Sequence, residues 1–296
     1  MTSPGPVGLQ DMTPDPAVVL DGLSFPESTR WHDGRLWLCD WAARTILAVA
    51  PDGEAEPIAR VESFPFSIDW LPDGRLLVVS AADRAVLSVD ADGTLSRWAD
   101  LSGLGPFPPG NEIVIDALGR IYVNGGGFDP RAGGAPAPGT IALVSEGAAR
   151  TVADGIAFGN GMAITPDGAT LIVAESHACR LSAFDIDPDG GLSGRRVWAA
   201  LGEDPPDGIC IDAERAVWYA DVPHGHCVRV AEGGEVLQRV TADRGCFACM
   251  LGGPQRSSLY IAARQWHGMA ALERGAGSGR LLVCEVEVPG AGYPAA

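Results

Sequence analysis

A short apolar strand, a tight turn at Asp-Gly or its equivalent, and a second apolar strand recur six times along this chain. The instances are STRWHDGRLWLCD, SIDWLPDGRLLVVS, EIVIDALGRIYVNG, GMAITPDGATLIVAES, GICIDAERAVWYAD and CMLGGPQRSSLYIAA. Aligned at the first turn residue (Asp33, Asp73, Leu118, Asp167, Glu214, Gln255), they lie 40, 45, 49, 47 and 41 residues apart. A period in the forties with several short strands per period is the signature of a four-stranded propeller blade. The Asp-Gly and Pro-Asp-Gly turns supply the positive φ that tight hairpins need. Each later half-repeat adds two more strand-like runs, such as TILAVA and EPIARV. The reading is an all-β, six-bladed β-propeller. It occupies residues 17–296 as one domain after a flexible N-terminal tail, 1–16; a β-sandwich with accidental spacing is the alternative. Ring closure needs a borrowed strand. The run AVVLDGLSF has no partner in its own blade and is expected to complete the sixth blade beside LLVCEVEV.

Composition narrows the chemistry. All 21 basic residues are arginine, which excludes Schiff-base chemistry, a lysine-anchored pyridoxal cofactor and a P-loop. The net charge of −17 opposes binding to nucleic acid, which relies on basic residues displacing counterions, and to an anionic membrane surface. No run approaches the roughly 18 apolar residues of a membrane helix. The first residues lack the basic start and apolar core of a secretory signal. Seven cysteines, odd in number and irregular in spacing, read as reduced thiols and place the protein in a cytoplasm.

Blade topology fixes faces. The turn between the first two strands lies on one face; the start of the innermost strand and the next loop lie on the other. About seven residues before each turn stand Glu27, Phe66, Asn111, Asn160, Asp207 and Ala248, with Glu27 one residue out of phase. Four of these six are oxygen donors that should point into the central channel at one height. The chain has only three asparagines, and two of them, Asn111 and Asn160, share this phase. Two carboxylates and two amide carbonyls converging on an axis form a hard-oxygen cage. Such a cage suits Ca²⁺ first, or Mg²⁺ or Mn²⁺ with waters, with Zn²⁺ or Fe²⁺ as further alternatives. The structural alternative is that these side chains cap strand ends.

These residues carry a likeness. FPESTRWHDGRLWLCDW, GNEIVIDALGRIYVNG, FGNGMAITPDGATLIVAES and PDGICIDAERAVWYAD resemble the SMP-30/gluconolactonase/luciferin-regenerating-enzyme family of six-bladed propellers, over about residues 20–265. The resemblance implies one divalent metal held by Glu27, Asn160 and Asp207, with Asn111 as a substrate contact or further ligand. It implies lactone hydrolysis, with organophosphate hydrolysis in some relatives. Many sugar lactonases of this kind place an arginine two residues before the asparagine matching Asn111; here Pro109 stands there, and Asn124-Gly125-Gly126 replaces an acidic contact in blade 3. Both departures speak against a polyhydroxylated sugar lactone.

Other features are weighed on the same map. His177, His224, His226 and His267 follow a second strand and so fall on the metal face. One or two of them, His177 foremost, are read as lining the substrate mouth. The HGH stretch at 224–226 raises zinc, but sequence shows no further histidine motif beside it. Cys246 and Cys249 form a CxxC that enters a strand, so a packing role is favoured over redox chemistry. No GxSxG elbow supports a serine triad. Trp31, Trp37, Trp70 and Trp218 read as packing between blades. Trp41 and Trp266 read as lining the pocket, with Phe66, Phe107 and Phe128 at its rim. Residues 126–139 lengthen a loop on the metal face, as a lid or a passive surface loop. The function expected is divalent-metal-dependent opening of a small-molecule lactone or ester, with Asp207 as general base, by a monomer or small homo-oligomer. A phosphoester hydrolase and a non-catalytic metal-stabilised binding propeller are the alternatives.

Overall fold

The computed structural model describes residues 15–105, 110–129, 133–268 and 274–292. Within these described residues, twenty-four strands form six four-stranded antiparallel sheets. Blade 1 contains β2 (Pro26–His32), β3 (Arg35–Asp40), β4 (Thr45–Val49) and β5 (Ala55–Arg60). Blade 2 contains β6 (Phe66–Trp70), β7 (Leu76–Ser80), β8 (Ala85–Val89) and β9 (Leu95–Asp100). Blade 3 contains β10 (Glu112–Ile115), β11 (Ile121–Gly125), β12 (Gly139–Ser145) and β13 (Ala148–Ile156). Blade 4 contains β14 (Gly159–Ile164), β15 (Thr170–Glu175), β16 (Arg180–Ile186) and β17 (Leu192–Ala200). Blade 5 contains β18 (Pro206–Ile211), β19 (Val217–Asp221), β20 (His226–Val230) and β21 (Val236–Thr241). Blade 6 contains β22 (Gly245–Gly252), β23 (Ser258–Arg264) and β24 (Gly279–Glu285), and β1 (Ala17–Leu23) closes it by pairing antiparallel with β24. The fold and its N-terminal closure are those expected from the repeat. The tail is outside the described residues up to position 14.

The core lies between blades because each blade buries both faces against its neighbours. Trp37 and Trp70 of blades 1 and 2 meet edge to face at 5.1 Å, and Trp31 stacks on Tyr260 of blade 6 at 5.5 Å. Trp218 is fully buried. Phe66, expected at the rim, is instead in this core: it is completely buried among Trp37, Ile68 and Trp70. The strand period explains the error, since successive side chains point to opposite faces. Ser67, not Phe66, carries the inward position in blade 2 and hydrogen-bonds Ser28 and Glu112. Phe107 and Pro109 lie outside the described residues. All seven cysteines are unpaired, and Cys246 and Cys249 are buried, consistent with packing. Among the described residues no helix is long and apolar enough to cross a membrane.

Candidate metal centre

The innermost strands of blades 1, 4 and 5 share a local irregularity. Their register with the second strand breaks between Glu27 and Arg30, between Gly159 and Met162, and between Pro206 and Ile209. In blades 2 and 3 the corresponding pairings run unbroken. In each of the three, the residue just before the candidate ligand pairs with an acid that ends the second strand: Pro26 opposite Asp40, Gly159 opposite Glu175, Pro206 opposite Asp221. The next residue in each is Glu27, Asn160 or Asp207. A bulge adds twist and re-aims the side chain that follows. Ser28 sits at φ 53°, and this accounts for Glu27 being one residue out of phase in the sequence.

The acids behind these bulges hold the incoming loops. Asp40 accepts from the main-chain N–H of Ser24 and Phe25 at 2.7 and 2.8 Å. Glu175 accepts from Ala157 at 2.7 Å and pairs with Arg180 and Arg195.

Glu27 interacts with Asp207, Asp207 with Asn160, and Asn160 with Asn111. Glu27 and Asp207 are buried. Burial first, and then the charge of Asp207, push the Glu27 carboxyl well above the ordinary carboxylate range. Asp207 is raised well above its ordinary value by burial and by the charges of Glu112 and Asp221, while a hydrogen bond from Asn160 opposes this. The Asn111 amide donates to the carbonyl of Gly159 at 3.2 Å and faces the Asn160 Oδ1 at 3.4 Å. Asn160 in turn donates to Ser176 at 3.4 Å. Asp207 Oδ1 is buried with no hydrogen-bond partner. Two facing carboxylates and an orphaned oxygen are costly without a positive partner. The donor set is all oxygen, and it fits a hard divalent cation.

Beneath this tier lies a pair that sequence reasoning missed. Arg30 and Glu112 form a buried ion pair at 2.7 Å, and Arg30 also donates to the Ile113 carbonyl at 2.7 Å. Both follow the inward-facing phase, but an arginine in an acidic channel carries no sequence signature of its own. Arg30 is committed to Glu112 by this ion pair, while Glu27 and Asp207 stay raised well above the ordinary carboxylate range.

The expected substrate contacts separate into two aromatic groups on the same face. On one side, Phe25 touches Trp41 (5.2 Å), Phe64 (5.8 Å), Phe247 (4.9 Å) and Trp266 (6.3 Å). On the other, His177 stacks on Phe158 at 4.6 Å, and Phe128 leans on Phe158 at 5.7 Å. Phe25 and Phe158 each stand two residues before a cage residue, Glu27 and Asn160. The described part of loop 126–139 therefore sits over blades 3 and 4 through Phe128. Trp266 and His224 also line a shallow cavity of about 240 Å³ at the seam of blades 5 and 6.

Two further histidines, His224 and His226, do something sequence did not show. In blade 5, Asp204, Asp221, His224 and His226 each bring one donor atom to within 4.8 Å of the others, a group that could hold a metal ion. His224 is in the turn before β20 rather than on an extended strand. Its Nδ1 lies 2.9 Å from Asp221 Oδ2, and His226 Nε2 lies 3.0 Å from Asp204 Oδ2. The two rings stack at 5.6 Å.

Comparison with known proteins agrees with this architecture. The family model for the SMP-30/Gluconolactonase/LRE-like region matches residues 25–265. A pentonolactonase of Haloferax volcanii is 25% identical over 265 residues, covering 87% of this chain and 88% of its own. A lactonase of Staphylococcus saprophyticus is 28% identical over 233 residues, covering 75% and 69%. Among solved structures, a luciferin-regenerating enzyme superposes with TM-score 0.78 at 19% identity, covering 94% of this chain and 98% of its own. A calcium-binding regucalcin of Agrobacterium tumefaciens gives 0.74 at 21%, covering 94% and 95%. The match over most of the length, on a six-bladed frame, shows that the chain belongs to the SMP-30/gluconolactonase/LRE-like family.

Proposed function

We propose that this protein hydrolyses lactones at a divalent cation held by Glu27, Asn160 and Asp207, with Asn111 beside them. The observation that carries this is the buried, mutually repelling pair Glu27 and Asp207, with Asp207 Oδ1 lacking any hydrogen-bond partner. Relatives named as lactonases support the reaction class. All-oxygen ligation favours Ca²⁺. The bound ion would polarise the ester carbonyl and stabilise the negative charge that develops on its oxygen.

The chain's own groups account for the proton movements. Asp207 Oδ1 takes a proton from the water whose oxygen bonds to the carbonyl carbon. The ring C–O bond then breaks as the departing ring oxygen takes the proton held by Asp207, which gives the open hydroxy acid and returns the carboxylate. As both ligand and base, Asp207 is a compromise, since a cation contact lowers its basicity. Asn111 holds Asn160 in place through the Gly159 carbonyl and offers its amide to a substrate oxygen. The aromatic groups around Phe25 and Phe158 keep the mouth apolar.

The test is a lactone panel followed by proton release, on protein stripped of metal and then given Ca²⁺, Mg²⁺, Mn²⁺, Zn²⁺ or Fe²⁺. Ring opening that returns with one of these ions supports the reading. Full activity after exhaustive chelation, with no metal by elemental analysis, sinks the metal-dependent mechanism. No turnover of any lactone under any ion favours a non-catalytic propeller. The unpaired thiols are in keeping with a reducing cytoplasm.

A further inference from the structure

We propose that blade 5 carries a second cation site, of transition-metal type, formed by Asp204, Asp221, His224 and His226. It is distinct in chemistry from the all-oxygen cage on the axis. The distances carry the argument. His224 Nδ1 lies 2.9 Å from Asp221 Oδ2 and 3.5 Å from Asp204 Oδ1. His226 Nε2 lies 3.0 Å from Asp204 Oδ2 and 3.7 Å from Asp221 Oδ2. A four-coordinate ion with bonds of about 2.0–2.1 Å separates its ligand atoms by about 3.3 Å. Taken to whichever Asp204 oxygen is nearer, the spacings fall on both sides of that value, and one donor atom from each residue lies within 4.8 Å of the others. Two imidazoles and two carboxylates suit Zn²⁺ or its analogue Co²⁺, whereas Ca²⁺ prefers oxygen throughout.

The surroundings hold the carboxylates in place. Tyr219 donates to Asp204 Oδ2 at 2.8 Å, and Asp221 Oδ1 accepts from the His224 main-chain N–H at 2.8 Å. Such outer contacts fix ligand orientation in metal sites. Asp221 and His226 are buried, and the His224 side chain is 44% exposed, so an ion has a path in from solvent. One contact must give way. Arg239 Nη1 lies 3.0 Å from His226 Nδ1 and can only donate to it. Ligation through Nε2 puts the proton on Nδ1, so Arg239 has to turn aside. Without metal, His226 is therefore the neutral form that donates from Nε2 to Asp204. The site would staple the link between blades 4 and 5, which carries Asp204, to β19 and β20.

The test uses the full chain, metal-stripped and then saturated with Ca²⁺ so that the axial cage is filled. Co²⁺ is titrated and followed by visible absorption, and Zn²⁺ by competition and by thermal denaturation. One Co²⁺ per chain with the intense bands of a four-coordinate site is expected, displaced by Zn²⁺, which raises Tm. His224→Ala, at an exposed turn, should weaken Co²⁺ binding at least about tenfold, and Asp204→Asn should do the same. Arg239→Gln should tighten it. Glu27→Gln, in the axial cage, should leave the band intact. Absence of the band, or Co²⁺ binding unchanged in His224→Ala, overturns the proposal and leaves the cluster as a hydrogen-bonded network.

Discussion

The axial cage and the blade-5 cluster both bury carboxylates, and they solve the resulting problem in opposite ways. In blade 5 the acid oxygens meet hydrogen-bond donors. Asp204 faces Tyr219 and His226, and Asp221 faces His224 twice. On the axis, Glu27 accepts from the Ser28 main chain at 2.9 Å, Asp207 from Asn160, and Asp207 Oδ1 from nothing. A buried ion left without a partner is strongly destabilising, whereas a compensated one is close to neutral. A cation from outside would give the axial pair the partner it lacks, while the blade-5 group has an internal alternative. Arg30 sharpens the contrast, because it sits in the same channel and is committed to Glu112.

Removing the axial ion should give the largest effect. Lewis-acid stabilisation is worth several kcal/mol, so chelation or Glu27→Gln should lower kcat/KM by about 10³-fold or more. His224→Ala should not lower it comparably. Equal losses in Glu27→Gln and His224→Ala would erase the distinction between the two sites. Next in size is Asp207→Asn, which keeps an oxygen donor and removes the proton acceptor. Cation affinity should weaken modestly while kcat falls about 10²–10⁴-fold. Near-normal kcat in this variant would assign the base to another group.

The third effect is on stability and has a definite sign. Glu27 and Asp207 titrate above their ordinary values, so between the unfolded and folded pKa the native state binds more protons. The contribution of this pair to the stability of the chelated protein should therefore be fullest below the ordinary carboxylate range and be lost as pH rises through the folded values. Asp69, raised to about 7 by burial, and His224, raised by Asp221, act in the same direction. Two comparisons isolate the cage. Loading with Ca²⁺ should flatten the decline. Glu27→Gln should raise the Tm of the chelated protein at pH 7.5 by about 2–5 °C, since about 1 kcal/mol moves a chain of this size by a few degrees. A chelated Glu27→Gln protein that melts below chelated wild type would show that the carboxylate pair is not strained.

The contrast also explains what the sequence could disclose. The six turns fixed the blades, because Asp-Gly and its equivalents mark backbone that few residues adopt. The candidate axial residues stood out because a repeat puts equivalent side chains at equivalent depth, and two of three asparagines share one phase. Glu27 resisted alignment because of the bulge at Ser28, which no composition rule marks. Phe66 was misplaced by one step of the strand pleat. The blade-5 cluster depends on Asp204, from the link between blades, meeting a turn twenty residues later. Local periodicity has nothing to say about that. A signal did exist in Asp40, Glu175 and Asp221, which end the second strand in blades 1, 4 and 5. In the first two they hold the loop before the innermost strand, and in blade 5 the same position turns to a histidine.

The smallest expected effect tests which side of the mouth the substrate leans on. Trp266 packs against Phe247 at 5.4 Å and belongs to the aromatic group around Phe25, yet it lines the same shallow cavity as His224 of the blade-5 cluster. An apolar wall favours alkyl- or aryl-substituted lactones and discriminates weakly, because a missing methylene changes little, whereas sites built for hydroxyls penalise every unmet polar group. Trp266→Ala should therefore raise KM for an aryl lactone about tenfold, within the range of one apolar contact, and leave kcat nearly unchanged. For gluconolactone the change should be smaller, and wild-type kcat/KM should favour the apolar substrates. His224→Ala should shift neither substrate by more than about twofold, since the blade-5 side is spent on its own hydrogen bonds. The measurement is steady-state kinetics on both lactones with wild type and the two variants. If His224→Ala is the variant that raises KM, the substrate rests on blade 5; if gluconolactone is turned over at least about tenfold better than any apolar lactone, the apolar-wall reading fails. Asn111, with the loop after β11, must in that second case recognise its hydroxyls.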